Sequence, residues 1–169
     1  ASGTNFADAL SASGYSYNNK LPVFLTDGTT LSTGTAAAMT AAKVQQVIVL
    51  GGVNAVSDAV LTAAGLVTGV LTTQRIGGAD RYETATLLAT AIGVDTAAFK
   101  QASVLVNGTE CPDALVASQY AALQDAVILP TKAHTLPAPI LTWLATNQAT
   151  MGTIYTVGGL NAVFATTVA

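Results

Sequence analysis

Residues 3–13 read Gly-Thr-Asn-Phe-Ala-Asp-Ala-Leu-Ser-Ala-Ser, and residues 108–118 read Gly-Thr-Glu-Cys-Pro-Asp-Ala-Leu-Val-Ala-Ser. Seven of the eleven positions are identical, at a spacing of 105 from Asp8 to Asp113. A self-match of this kind defines the folding unit before any residue-level argument. A second one follows in the same order: Gly51-Gly52-Val53-Asn54-Ala55-Val56 returns as Gly158-Gly159-Leu160-Asn161-Ala162-Val163, five of six identical. The chain is therefore one unit seen almost twice.

Between the repeated motifs, short apolar runs alternate with helical patterns. Leu21 to Thr26 reads as a short buried strand closed by Asp27-Gly28, and Gln46 to Leu50 as a second strand closed by Gly51-Gly52. A helix is predicted from Ala9 to about Tyr15, with Asn5 and Asp8 at its first turn. Ser32 is the predicted N-cap of an Ala-rich helix over 33–42, and Ser57-Asp58 opens a helix that Gly65 ends. Residues 66–76 are β-branched and apolar up to Gln74-Arg75-Ile76. Asp80 and Glu83 have the spacing of a capping box, and Leu87, Leu88, Ala91 and Ile92 follow at helical spacing. Strands are expected again at 102–106, 126–129 and 153–157, with Pro112 in the first turn of the helix between the first two. Strand and helix in alternation with short connections imply parallel strands with helices on both faces. The fold class is α/β: Rossmann-like parallel sheet modules in tandem, the first copy partial.

Composition removes several function classes. Half of the chain is hydrophobic and 9% is charged, so it has the apolar content to fold. Net charge is -3, and Lys20, Lys43, Arg75, Arg81, Lys100 and Lys132 are scattered, which leaves no basic cluster for nucleic acid. Residues 133–169 carry no Asp, Glu, Lys or Arg, yet Pro137, Pro139, Asn147, Gln148, Gly152 and Gly158-Gly159 interrupt the run, so membrane insertion is not expected. Cys111 is the single cysteine and His134 the single histidine. No internal disulfide, no cysteine-based metal site and no hydrolytic triad motif follows from them, and neither metal nor cofactor is expected.

The segment Arg75-Ile76-Gly77-Gly78-Ala79-Asp80-Arg81-Tyr82-Glu83-Thr84-Ala85 resembles the signature of the cell wall binding repeat 2 family. The same holds for the two Gly-Thr-x-x-x-Asp-Ala-Leu-x-Ala stretches, the Leu25-Thr26-Asp27 strand end, and Gly51-Gly52 followed by Val56-Ser57-Asp58. These motifs cover nearly the whole chain in family order. The resemblance implies non-catalytic modules, typically three in tandem, that anchor extracellular surface proteins of Gram-positive bacteria to anionic cell wall polymers. It also implies a division into a partial module over 1–74 and a nearly complete one over 75–169. The second copy departs from the pattern at Phe164-Ala165, which stands where Ser57-Asp58 stood, and at Pro130-Thr131, where the family has Thr-Asp. A three-module arrangement would need further copies, in cis or by homo-oligomerisation.

Two roles are open at each marked position. Asp8 and Asp113 serve either as structural acids at helix starts or as ligand contacts, and the structural role is preferred. Gly51, Gly52, Gly158 and Gly159 lack the G-x-G-x-x-G pattern, so a tight strand-to-helix turn is preferred to phosphate binding. Arg75 and Arg81 suit phosphate or carboxylate groups, with Tyr82 and Asp80 beside them as candidate ligand-binding residues. Internal ion pairs with Asp80 and Glu83 are the alternative. The expected partner is an anionic cell wall polysaccharide. The competing functional class is a self-assembly or adhesin domain, supported by the uncharged 133–169 segment, with a hydrolase third.

Overall fold

In the computed structural model, residues 1–93 and 102–163 are described. The departure expected at Phe164-Ala165 lies outside them. The elements run α1 (Phe6–Ser11), α2 (Ser13–Asn18), α3 (Thr33–Ala41), β1 (Gln46–Leu50), α4 (Asp58–Gly65), β2 (Thr72–Ile76), α5 (Arg81–Gly93), β3 (Ala102–Asn107), α6 (Cys111–Leu123), β4 (Ala126–Thr131), α7 (Ala138–Asn147) and β5 (Ile154–Val157). All strand pairs are parallel. β1 and β2 form a two-stranded sheet, and the other three strands form a sheet ordered β4-β3-β5. Pro130 is tolerated because β4 is an edge strand, where a missing N–H breaks no shared ladder.

Alternation along the strands sends side chains to opposite faces. Val104, Val106 and Ile128 join Ala114, Ala117 and Ala121 of α6, while Leu105, Val127 and Leu129 meet Tyr82, Ala85, Ala89 and Ile140 of α5 and α7. In the smaller sheet, Val49 packs on Val56 and Val60, whereas Leu50 and Ile76 pack on Leu88 and Ile92. Helices thus cover both faces, as the alternating pattern requires. The inward face of α6 is alanine, and its large residues face outward: Leu115, Val116 and Leu123 are all exposed. Small side chains let the helix lie close to the strands, and Leu10 of α1 reaches the same cluster.

Three expectations need correction. Residues 21–25 form no strand, and Leu21, Val23 and Leu25 are exposed rather than buried. The only ladder contact there is a parallel bridge between Ser2 and Thr26. Adding 105 to each number gives Asn107 and Thr131, the last register pair of β3 and β4. The stretch that would pair with 21–25 is thus represented by Ser2 and by Ala1, which donates from its amino group to the Phe24 carbonyl at 3.0 Å and accepts from the Thr26 amide at 3.0 Å. The same register corrects the repeat alignment, because Thr131 is the counterpart of Thr26 and Lys132 that of Asp27. The opening helix also begins earlier, at Phe6, and breaks at Ala12 into two short segments.

The glycine turns have a specific cause. Gly51 has φ +107° and Gly158 has φ +132°, a region where a side chain is strained. A Cβ on Gly51 would sit 2.6 Å from Oδ2 of Asp8, and one on Gly158 would sit 2.8 Å from Oδ2 of Asp113. Each repeated aspartate therefore packs its carboxylate against the repeated glycine turn, which joins the two motifs of a copy physically. Nothing lies within 4 Å of a Cβ on Gly159. Gly51→Ala should destabilise the chain by about 2 kcal/mol, read from the urea midpoint, while Gly159→Ala should stay within ~0.5 kcal/mol. Equal effects from the two would rule out the carboxylate contact as the cause.

Candidate functional site

The C-terminal ends of parallel strands are where doubly wound sheets place ligands. Here that rim carries the turns after β1, β2 and β3, and both arginines of interest. Register sets Arg75 opposite Val49, one residue short of the end of β1. Its Nη1 donates to the Gly51 carbonyl at 2.7 Å, and its Nη2 meets Oδ1 of Asp58 at 3.0 Å. The Arg75 side chain is 17% exposed and that of Asp58 75%, so the pair is half in water and contributes little to stability.

The segment after β2 turns into α5 through a hydrogen-bonded cap. Oδ1 of Asp80 accepts from the Tyr82 and Glu83 amides, both at 2.9 Å. Oε2 of Glu83 reaches back to the Ala79 amide at 2.6 Å, and Thr84 Oγ1 accepts from Gly78. This is the expected box, closed one residue further upstream. Asp80 and Glu83 are thus helix caps, and the arginine pairing expected of them is replaced by Asp58 and by backbone carbonyls. Arg81 Nη1 donates to the Gly108 carbonyl, and its guanidinium lies 6.0 Å from the Phe6 ring centroid. It fastens α1 and the turn after β3 to the start of α5. Tyr82 is buried among Leu105, Leu129 and Ile140. Its ring is unavailable to stack on a sugar, and burial raises its hydroxyl above the usual range.

Asp8 does not hold backbone amides. Asn5 caps α1 by accepting from the Ala7 amide, and Oδ1 of Asp8 is buried without a hydrogen-bond partner. Burial pushes its carboxyl above the usual carboxylate range, against the pull of Arg81 and the chain's amino terminus. Asp27 shows the reverse. Fully exposed, it accepts from the amides and hydroxyls of Thr29 and Thr30, which hold its carboxyl well below the usual range.

The rim therefore brings together Arg75, Asp58 and the Gly51 turn, and Asp8, which packs against that turn, links them to Arg81, Phe6 and Gly108. Asp113 and Gly158-Gly159 belong to the other copy. Sequence reasoning missed Asp58 and Gly108 as arginine partners. The signal for Asp58 was its place at the start of α4, two residues past the repeated Gly51-to-Val56 motif, on the helix that packs beside the strand carrying Arg75. Among the described residues, no group of three or more His, Cys, Asp or Glu converges to hold a metal, and no helix is long and apolar enough to cross a membrane.

The family described as cell wall binding domain 2 (CWB2) matches residues 1–61 and 75–168. The chain is 33% identical over 120 residues to the N-acetylmuramoyl-L-alanine amidase LytC of Bacillus subtilis strain 168, covering 71% of this chain and 23% of that protein. Two solved structures share its fold. Cwp6 from Clostridium difficile superposes with a TM-score of 0.85 at 23% identity, over 98% of this chain and 25% of that one. Cwp8 from Clostridium difficile gives 0.75 at 24% identity, over 94% and 26%. The chain spans about a quarter of the length of each of these relatives.

The direction of the Asp8 shift fixes a sign. The folded state holds this proton more tightly than the unfolded chain, so the stabilisation present in acid is lost as pH rises from the ordinary carboxylate value through the raised one. Asp8→Asn should raise the melting temperature by a few degrees at neutral pH and give no gain below about pH 4. Thermal melts of both proteins at the two pH values check this, and an equal gain at both would exclude a titrating Asp8.

Proposed function

The chain belongs to the cell wall binding domain 2 family, and from that premise we propose that it anchors an attached protein to an anionic cell wall polymer without catalysing a reaction. The family is one of cell wall binding modules, and its place is the cell wall or surface of Gram-positive bacteria. The observation that carries the polymer reading is the pair of guanidiniums at the strand-end rim. A guanidinium has five N–H donors. Arg75 and Arg81 use some of theirs on loop carbonyls, and the remainder can meet phosphate or carboxylate groups supplied in series. Asp80 then acts by holding the turn between them, and Tyr82 by fixing α5 in the core.

Repetition supports this reading, since tethered weak contacts act at raised effective concentration. We take the copies to divide near residue 75, so that 1–74 is a partial module and 75–169 a nearly complete one, although that boundary falls inside β2. The activity named for the amidase relative is not carried over, because the chain matches less than a quarter of that protein.

A second reading, assembly with further copies in cis or as a homo-oligomer, is favoured by one observation. Leu115, Val116 and Leu123 of α6 are 59%, 71% and 69% exposed, and Tyr17 of α2 is 69% exposed. Apolar surface of that kind marks interaction sites when it is contiguous.

Sedimentation with purified Gram-positive walls tests the anchoring reading. The chain should pellet with intact walls, lose most of that binding when their anionic polymers are stripped, and bind less as salt rises. Equal pelleting with stripped walls would remove the anionic ligand. For assembly, analytical ultracentrifugation should show association that a Val116→Lys change weakens, and a monomer at every concentration would exclude the homo-oligomer.

A further inference from the structure

A groove of about 780 Å³ runs between α5 and α7, over Ala89, Ser103 and Val127. Its walls carry Thr86, Leu87 and Thr90 from α5, and Thr142, Trp143 and Thr146 from α7, with Thr150 and Asn147 at the far end. The threonines recur at four-residue spacing, 86 and 90 on α5 and 142 and 146 on α7, so each pair lies along one helix face. Trp143 is the single tryptophan of the chain.

The hydrogen-bonding state of these groups selects a ligand chemistry. Oγ1 of Thr86 donates to the Glu83 carbonyl at 2.9 Å, and that of Thr90 to Thr86 at 2.8 Å. Oγ1 of Thr146 donates to the Thr142 carbonyl at 2.9 Å, and that of Thr150 to Asn147 at 3.1 Å. A hydroxyl has one proton and two lone pairs. Each of these four therefore commits its proton to a backbone carbonyl of the preceding turn and keeps acceptor capacity, part of which Thr90 gives to the Trp143 indole. Trp143 Nε1 donates to Thr90 Oγ1 at 3.0 Å, and Asn147 Nδ2 to the Trp143 carbonyl at 2.8 Å. The one charged side chain among the lining residues is that of Glu83, an anion. The groove is rich in acceptors and poor in donors, and no Lys or Arg lines it.

Such a surface disfavours phosphate, which offers mainly acceptors and negative charge. It suits a ligand with many donors and no negative charge. The exposed Leu87 and the half-buried indole give apolar area for the C–H faces of a sugar ring. We propose that the α5–α7 groove is a subsite for an uncharged, hydroxyl-rich glycan, separate from the strand-end arginines. The glycan's hydroxyl and amide groups donate to the threonine oxygens and to Glu83. The proposal rests on the wall-binding reading only for the source of the glycan, and it assigns sugar and anion of a wall polymer to different places.

Because Trp143 is unique, its fluorescence reads this groove directly. The intact 169-residue chain is titrated with the tetramers of N-acetylglucosamine and of glucose, and in parallel with inorganic phosphate and poly(glycerol phosphate). At least one neutral tetramer should give a saturable change in emission, and the two anions none. The double change Thr146→Val and Thr150→Val, at exposed positions, should weaken tetramer binding about tenfold with an unaltered melting temperature. A flat titration with both tetramers overturns the proposal, as does an equal response to phosphate. If the double variant binds as tightly as the parent, the threonine acceptors are not the contact and the proposal fails. A flat titration with intact wall sedimentation removes the groove alone, whereas tetramer binding without wall sedimentation removes the anchoring reading alone.

Discussion

Everything in this molecule leans on a helix that is buried on two sides. Leu88 and Ile92 of α5 close the core under β1 and β2, while Tyr82, Ala85 and Ala89 close the core over β3 and β4. Burying one large aliphatic side chain contributes roughly 1.5–3 kcal/mol, so a helix that supplies both cores links their stabilities. The start of that helix is correspondingly well fixed. Asp80, Glu83 and Thr84 satisfy four amides at or just before its first turn, and Arg81 extends sideways to the Gly108 carbonyl just past β3. With so few charges in the chain, those near this junction are used for geometry.

This division of labour explains what could be read from the residues alone. β1, α3 with its Ser32 cap, α4, and the capped start of α5 are specified by neighbours within a few positions, and they were legible. The exposed stretch at 21–25 was not. Its apolar run is that of a buried strand, but a strand exists only when a partner ladder does, and here the backbone bonds are those of Ala1 and Gly3 around one bridge from Ser2 to Thr26. The inward face of α6 was equally hidden. An apolar pattern reports that a helix is hydrophobic, not which face is inward, and on α6 the alanines won because they allow close approach.

The rim shows the same limit in polar groups. Arg75 and Arg81 were identified as the informative cations, but their partners lie 17, 24 and 27 residues away, and sequence proximity pointed to the wrong acids. The groove between α5 and α7 left a trace that periodicity alone would have shown: threonines at 86 and 90, and again at 142, 146 and 150, with the only tryptophan between them. What the letters do not carry is the direction of each hydroxyl proton. That direction is what the proposed sugar subsite rests on.

The repeat register also bears on symmetry. Thr26 and Thr131 occupy the same place in their copies, which makes exposed Asp27 and exposed Lys132 equivalents of opposite charge. Duplication alone would give a surface that looks the same from either copy. One exchange of sign removes that equivalence, since an exposed anion follows Thr26 and an exposed cation follows Thr131. The two copies are therefore electrostatically distinct at the same place in the repeat.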